Sequence, residues 1–552
     1  EAFVRRSEAG EPAGTGRIDL YKPRHFVLEA KQSRLAAKAT PDLLAAAGLE
    51  AGPAQPAGPR YDALMRDARV QAEAYARALP ASEGWPPFLI VCDVGRAFDI
   101  YFDWSGMGKD YGPFPNRQGF RIGLLQLRDP AVQALFHAIW TDPRSIDPRL
   151  QAVAVTRDVS WRLADVSKTL EADQRHRTRL ASPADKSRVI EGTALYLMRI
   201  LFCMFAEDVG LLPAKSFQNF LAACLPPGDA DGDAAADVPA DTKRFTLGLA
   251  ELWGLMARRG GERYCLALGC DISYFNGGLF EHPEVYALGR NEISKLVDAA
   301  AKQWNRVEPA IFGTLLEQAL TPQERAKLGA HYTPRRYVER LVEATIMEPL
   351  RAEWAAVQAA APDAAPVAAF HARLKALRIL DPACGTGNFL YVAMELLLRL
   401  EGEVLTLLAE LGSPAIPGIV PKQFLGLELN PRAAVIAELV LWIGWLRWRI
   451  ANDPAAVPEP VLERTDAINF GRPGGYDAVL ARTDVGEVDF ANPRAALWPD
   501  ADFIVGNPPF IGGKDLRDKL GSDYAEALWK ANPHVPPSAD LACNGGFGRR
   551  GR

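Results

Sequence analysis

The run Asp381-Pro382-Ala383-Cys384-Gly385-Thr386-Gly387-Asn388-Phe389-Leu390 restricts most strongly what this chain can fold into. Ile379 and Leu380 end a short apolar run, and Asp381 stands where a strand would stop. The small residues Ala383 to Gly387 follow, then a helix-like run from Asn388 through Leu400. Strand, glycine turn and helix is how an α/β sheet receives a nucleotide-like ligand, because only glycine lets the ligand approach the backbone so closely. The glycines are not spaced as GxGxxG, which separates this loop from the dinucleotide-binding turn.

A second stretch answers the first. Ala501–Gly506 reads as a buried strand, with Asn507-Pro508-Pro509-Phe510 at its carboxyl end. Two prolines fix the backbone, so the Asn507 amide and the adjacent carbonyl are held at set angles. Such a pair accepts hydrogen bonds from an exocyclic NH2 group, and Phe510 can stack on a base flipped out of a duplex. Each motif alone also reads as an ordinary turn, with a buried Phe in the second case. Their order in one chain favours the chemical reading.

On these residues the chain resembles a class I S-adenosylmethionine (SAM)-dependent DNA adenine-N6 methyltransferase. More closely, it resembles the fused type II restriction–modification enzymes, of the IIG or IIL kind, over roughly residues 15–540. The resemblance implies a multidomain α/β protein: a small α/β nuclease-like domain over 1–150, a mostly α-helical spacer over 151–325, and a Rossmann-like SAM methyltransferase domain over 326–542. It also implies SAM as cofactor, Mg²⁺ for a nuclease, and double-stranded DNA as partner. Asp381, Ala383, Gly385, Gly387 and Asn388 then form the cofactor loop, with Asp381 near the methionine end.

Composition agrees with a soluble globular protein, 48% hydrophobic and 24% charged. At 552 residues the chain exceeds one ordinary core. Its seven cysteines show no CxxC pairing or histidine spacing, which argues against zinc or a disulfide framework and fits reduced thiols in the cytoplasm. No apolar run reaches the ~18 residues of a membrane span. The net charge of −5 argues against a nonspecific nucleic-acid coat, whereas a local basic cleft can still bind DNA.

Near the amino terminus, Arg17–Tyr21 and His25–Ala30 read as two strands joined by a turn at 22–24. Asp19, Glu29 and Lys31 fit the D-x9-E-x-K pattern of PD-(D/E)xK nucleases. That chemistry needs carboxylates, here Asp19 and Glu29, to hold Mg²⁺, and a lysine to position water. Glu29 and Lys31 are two apart on one strand and so share a face. Gln71 and Tyr75 place Q-x3-Y on a helix, residues 86–93 supply a further buried strand, and 98–104 another. Asp93 reads as a strand-end residue. A solvated hairpin with charged ends is the alternative reading of the bare E-x-K. Residues 35–60, rich in Ala, Pro and Gly, read as a surface loop.

Residues 160–320 are mostly helical by pattern, 188–213 most clearly, with Leu195, Ile200, Leu201 and Phe205 on one buried face. The acidic stretch 226–241 reads as a loop and FNGGLF at 275–280 as a turn. In GAHYTP at 329–334, Thr333-Pro334 reads as an N-cap followed by a first-turn proline. By resemblance Tyr332 and Thr333 touch SAM, and an Ala/Pro-rich insert at 355–369 separates them from the loop at 381. After helix 388–410 comes strand 423–428, whose terminal Glu428 is the acid expected for ribose hydroxyls. Helix 431–449 carries Trp442, Trp445 and Trp448, read as core or interface. Asp466 is the residue expected at the adenine of SAM.

The methylase sheet of the family continues beyond Phe510 into further strands and a target-recognition domain. The sequence after 538–541 instead becomes Gly/Arg-rich, without a core pattern. Residues 543–552 therefore read as an aberrant tail, and the missing target-recognition segment is expected to be encoded downstream. The function implied is methyl transfer to the N6 amine of adenine within a restriction–modification polypeptide that also cleaves DNA. Cytosine-N4 methylation, protein glutamine methylation and a non-catalytic DNA- or SAM-binding remnant are the alternatives.

Overall fold

A computed structural model of the 552-residue chain describes residues 3–6, 14–33, 59–80, 83–151, 183–225, 240–302, 333–360, 363–452 and 467–544, less short breaks within these spans, and isolated positions elsewhere. The chain packs as two compact units. The first comprises residues 1–151 with 357–371 and 399–417, and the second the remainder.

In the first unit a short antiparallel pair, β1 (Phe3–Arg6) and β2 (Gly14–Arg17), precedes the main sheet. That sheet joins β3 (Leu20–Lys22), β4 (Phe26–Lys31), β5 (Phe88–Asp93), β6 (Ala97–Asp103) and β7 (Tyr111–Pro113) in this order, with β8 (Arg121–Gly123) also on β6. The β3–β4 hairpin turns through residues 23–25, where Arg24 takes a left-handed φ of 62°. β4 and β5 are parallel, joined by the crossover helix α1 (Pro59–Ala78). Alternation decides the two faces. Val27, Leu89 and Val91 pack with Tyr61, Met65, Ala68 and Ala72 of α1. Phe26, Phe88, Ile90 and Phe102 face the opposite side with Ile139 of α2 (Pro130–Thr141). Residues 399–417 join this unit through ion pairs from Arg66 to Glu410 and from Arg69 to Glu403, and Arg399 lies 4.2 Å over the Trp104 ring. Of residues 35–60, the expected surface loop, 35–58 lie outside the described residues, whereas Pro59 and Arg60 begin α1.

The second unit opens with α3 (Pro183–Asp208), α4 (Ser216–Ala223) and α5 (Thr242–Ala257). Ile200, Leu201 and Phe205 of α3 are buried, as their spacing predicts. The strand pair β9 (Tyr264–Cys265) and β10 (Cys270–Asp271) precedes α6 (Gly277–Phe280) and α7 (Arg290–Ala300). FNGGLF is thus not a simple turn: its last four residues form a helical turn that buries Leu279 and Phe280. Most of the acidic stretch 226–241 lies outside the described residues.

Next come α8 (Arg335–Val342) and α9 (Glu348–Ala360), joined by a π-helical turn, then α10 (Ala364–Ala376). Within the Ala/Pro-rich insert, residues 355–360 and 364–369 are therefore helical. Alanine is the best helix former, and Pro366 falls in the first turn of α10, where no intrahelical N–H is needed. Val367, Phe370 and Leu374 are buried.

Three parallel strands follow: β11 (Ile379–Asp381), β12 (Phe424–Gly426) and β13 (Phe503–Ile504), in the order β12-β11-β13. A parallel bridge from Gly426 to Ile468 extends this order beyond β12. α11 (Asn388–Glu410) and α12 (Pro431–Asn452) make the connections. Trp442 is buried and packs edge-on against Trp445, whose indole N–H donates to the Ile419 carbonyl, so these tryptophans are structural. The expected buried strand over 501–506 is shorter than its pattern suggests. It pairs only two residues with β11 and leaves Ile504 51% exposed at the sheet edge. Beyond it, α13 (Leu516–Leu520) and α14 (Ser522–Ala531) pack Leu516, Ala525 and Leu528 on Val479 and Leu480. Leu541 joins this cluster, so the terminal stretch reaches the core at that residue, although the sequence around it shows no core pattern. No helix among the described residues is long and apolar enough to cross a membrane.

Candidate functional site

Parallel strands carry their following loops to one edge of a sheet. In the order β12-β11-β13 the chain leaves β11 for one neighbour and later returns to the other. That reversal beside β11 is a topological switch point, and open α/β sheets bind ligands at the carboxyl ends of the strands at such points. Asp381 ends β11, and Glu428 and Asn507 follow β12 and β13, so all three come to this edge.

Asp381 is 1% exposed. Its Oδ1 accepts from the Ala383 N–H at 3.1 Å, whereas its Oδ2 is buried without a partner among the described residues. Burial pushes this carboxyl up to about 7, against the Ala383 hydrogen bond, and the nearby Glu428 pushes the same way. A buried carboxylate oxygen without a donor is costly, and a cationic ligand would relieve it. Gly506 passes directly beside it: a Cβ there would collide with Asp381 Oδ1. The glycine loop and the Asn507 motif are thereby packed against each other.

The loop itself is held by main-chain bonds, Cys384 N–H to the Leu427 carbonyl at 3.1 Å and Leu427 N–H to the Asp381 carbonyl at 3.0 Å. Gly385 and Gly387 adopt positive φ of 54° and 82°. A Cβ on Gly387 would lie 3.1 Å from Ala437 of α12, whereas one on Gly385 meets open space. Cys384 is buried against Gly426, and burial together with Glu428 and Asp381 pushes its thiol well above the ordinary value. Its surroundings thus favour the neutral thiol over the nucleophilic thiolate.

Glu428 accepts from Gly385 N–H and Asn430 N–H, both at 2.8 Å. A carboxylate offers about four lone-pair positions, so two hydroxyl donors can still be added. Burial raises its pKa, against the hydrogen bonds from Asn430 and Gly385. Asn469, unremarked in the sequence, grips this residue: Glu428 N–H donates to its Oδ1 at 2.8 Å, and its Nδ2 donates to the Glu428 carbonyl at 2.9 Å. Asn469 and Phe470 both take left-handed backbone, φ 51° and 52°, an uncommon conformation outside glycine. Among residues other than glycine, asparagine is one of the few that tolerate it. Tyr332 and Asp466 lie outside the described residues.

Thr333 is not the helix N-cap. Pro334 occupies that position, with φ −54° and ψ 135°, and α8 begins at Arg335. The Thr333 carbonyl instead accepts from Asn388 Nδ2 at 3.0 Å, and its Oγ1 accepts from Asn507 Nδ2 at 3.2 Å. Phe510 is 70% exposed, an aromatic ring presented to solvent beside these groups in sequence.

In the first unit, Lys31 Nζ donates to Glu29 Oε1 at 2.6 Å and to Gln71 Oε1 at 2.9 Å, and Gln71 Nε2 donates to the Tyr75 hydroxyl at 2.8 Å. Glu29 is buried. Asp19 lies in the bend before β3 rather than in a strand, and its Oδ2 accepts from the Ala30 N–H at 2.8 Å, which holds it beside β4. Asp93 ends β5 and accepts from the Ser33 N–H and hydroxyl, as a strand-end residue does. Among the described residues no three His, Cys, Asp or Glu side chains converge as a metal cage.

A glycine loop, two acids at neighbouring parallel strands and an Asn-Pro-Pro-Phe turn thus stand at one sheet edge. Family models agree in sequence. Residues 357–543 match the DNA-methyltransferase domain of MmeI, residues 2–173 its N-terminal domain and residues 191–280 its helicase spacer domain. The chain is thus built of domains similar to those of MmeI, a DNA-methyltransferase domain among them.

DNA methyltransferase A of Bacillus subtilis (strain 168) is 25% identical over 353 residues, 61% of this chain and 36% of that protein. Type IIL restriction-modification enzyme MmeI, solved in complex with DNA, shares the fold at a TM-score of 0.52 and 24% identity, over 70% of this chain and 47% of that one. The chain therefore spans under half the length of these two relatives.

Proposed function

We propose that this chain is the nuclease, spacer and methylase part of a fused restriction–modification enzyme, over 1–150, 151–325 and 326–542, that methylates the N6 amine of adenine in double-stranded DNA. The observation that carries this reading is the packing of Gly506 on the buried, half-satisfied carboxylate of Asp381, which sets the Asn507 motif beside the cofactor loop in a Rossmann-like sheet. Bound SAM supplies an electrophilic methyl group on a sulfonium. Asp381 Oδ2 fits its ammonium, Glu428 its ribose hydroxyls, and the open space at Gly385 its close approach.

The protein's own part is positioning. Asn507 Oδ1 and the Pro508 carbonyl accept the two amine hydrogens, so that the nitrogen lone pair faces the donor. Pro508 and Pro509 hold these acceptors at fixed angles. Phe510 stacks on the flipped base, which accounts for a large apolar side chain left in solvent. Cytosine-N4 has the same amine chemistry and is separated from adenine by the product.

For cleavage, Asp19 and Glu29 would hold Mg²⁺ and Lys31 would place water, with Gln71 fixing the ammonium. Mg²⁺ commonly takes one or two protein carboxylates and fills its remaining positions with water and phosphate, so two acids fit. SAM binding to the full chain, beside Asp381→Ala, tests the methylase reading first. Saturable binding lost in the variant, followed by labelled N6-methyladenine in duplex DNA, supports it; no binding by either protein sinks it.

A further inference from the structure

After Phe510 the chain is held at alternate residues. Phe510, Gly512 and Lys514 stand in solvent, while Ile511 is buried. Gly513 runs so close to the main chain at 537–538 that a Cβ there would lie 2.3 Å from the Pro537 carbonyl oxygen. The Ile511 carbonyl accepts from the Leu541 N–H at 2.8 Å, and Ile511 and Leu516 are buried in one cluster. Between these anchors the Asp515 N–H donates to the Gly512 carbonyl at 2.8 Å, which closes Gly512–Asp515 as a β-turn.

This turn suits an anion. Among the described residues, nothing accepts from the N–H groups of Gly512, Gly513 and Lys514, and successive free N–H groups in a turn make an anion-binding concavity. Gly512 has open space where a Cβ would stand, so a ligand can come up to the main chain. Lys514 has no ion pair among the described residues, whereas the neighbouring cations Arg517 and Lys519 lie 3.5 Å from Glu526 and 3.9 Å from Asp515. Phe510 emerges on the same side four residues earlier, at most about 15 Å of chain away. A base stacked on Phe510 would bring its own phosphodiester links to this surface.

We infer that the turn Gly512–Asp515 is a phosphate site for the DNA backbone beside the flipped nucleotide, with Lys514 supplying the charge and the glycine N–H groups the close contacts. This rests on the amine-methylation reading above.

In the full chain, Lys514→Ala should bind SAM as wild type does, which also shows that it folds. Its affinity for a fluorescent mixed-sequence duplex should fall, and the slope of log affinity against log salt concentration should become shallower by about 0.9, the share of one phosphate contact. Lys514→Arg should restore both. Gly512→Ala keeps the charge, and the open space and the absence of a left-handed φ at Gly512 let it keep the fold. It should weaken duplex binding by holding the phosphate off the main chain, yet retain the wild-type slope. An unchanged affinity and slope in Lys514→Ala would overturn the site, with the methylase reading intact where wild type still methylates an adenine or cytosine amine. Gly512→Ala that binds duplex as tightly as wild type would reduce the turn to a surface charge and overturn it too. SAM binding weakened in Lys514→Ala would make the turn a cofactor contact, with the same consequence. A wild-type chain that binds SAM but neither binds nor methylates duplex DNA would sink both readings.

Discussion

Asp381 shows how a single carboxyl can trade stability for binding. Its folded-state pKa, about 7, lies above the ordinary 3.8, so the folded apo protein holds the proton more tightly than the unfolded chain. The stability linked to this group is therefore full below about 3.8 and lost as pH rises through about 7. A cationic ligand selects the opposite, ionised form. SAM affinity should thus weaken by about tenfold per pH unit below 7 and level off above it, one proton being taken up per ligand lost. Titration calorimetry at pH 6 to 8 checks this, and Asp381→Asn should flatten the profile. That variant keeps an acceptor for Ala383 N–H and removes the buried charge. It should unfold no earlier than wild type at pH 8 yet lose about 1.5–3 kcal/mol of SAM binding, the range of a hydrogen bond to a charged group. Asp381 and Glu428 were readable from their places after apolar runs. Asn469 was not, because it serves the main chain of Glu428 from a left-handed backbone, and no side-chain pattern records that.

Among the elements, the glycine loop separates two kinds of constraint. Gly387 has positive φ and a crowded Cβ position, while Gly385 has positive φ and open space. Gly387→Ala should cost about 1–2 kcal/mol for the left-handed backbone, and more for the contact with Ala437. Gly385→Ala should carry the backbone cost alone but intrude where ligand approaches, losing SAM affinity out of proportion to stability. Denaturant unfolding beside SAM binding distinguishes the two. α11 and α12 were legible to within a few residues because long apolar periodicity is a local signal. β13 was not, since the length of a strand depends on its partners, and here only two residues pair.

For the molecule as a whole, contacts distant in sequence decide what holds together. Arg69 pairs with Glu73 one turn away and with Glu403 from a remote segment, and lies 4.9 Å over Tyr101. Arg69→Ala should destabilise the first unit by about 2 kcal/mol, below the ~3–5 kcal/mol of a fully buried pair, as read by denaturant unfolding. Lys31→Ala should abolish Mg²⁺-dependent cleavage of unmethylated DNA while SAM affinity stays unchanged, since Lys31 is bound to Glu29 and Gln71 within the first unit. Cleavage surviving in that variant would remove the nuclease assignment.

By itself the sequence determined the glycine loop, the Asn-Pro-Pro-Phe turn, the E-x-K strand and the principal helices, because backbone freedom at glycine, rigidity at proline and helical or strand periodicity act over a few neighbouring residues. Tertiary structure alone decided that Gly506 lies on Asp381, that Thr333 reaches both Asn388 and Asn507, and that Asn469 clamps Glu428. Each is a contact between distant segments, created when parallel strands bring their loops to one edge, and one-dimensional spacing carries no record of it.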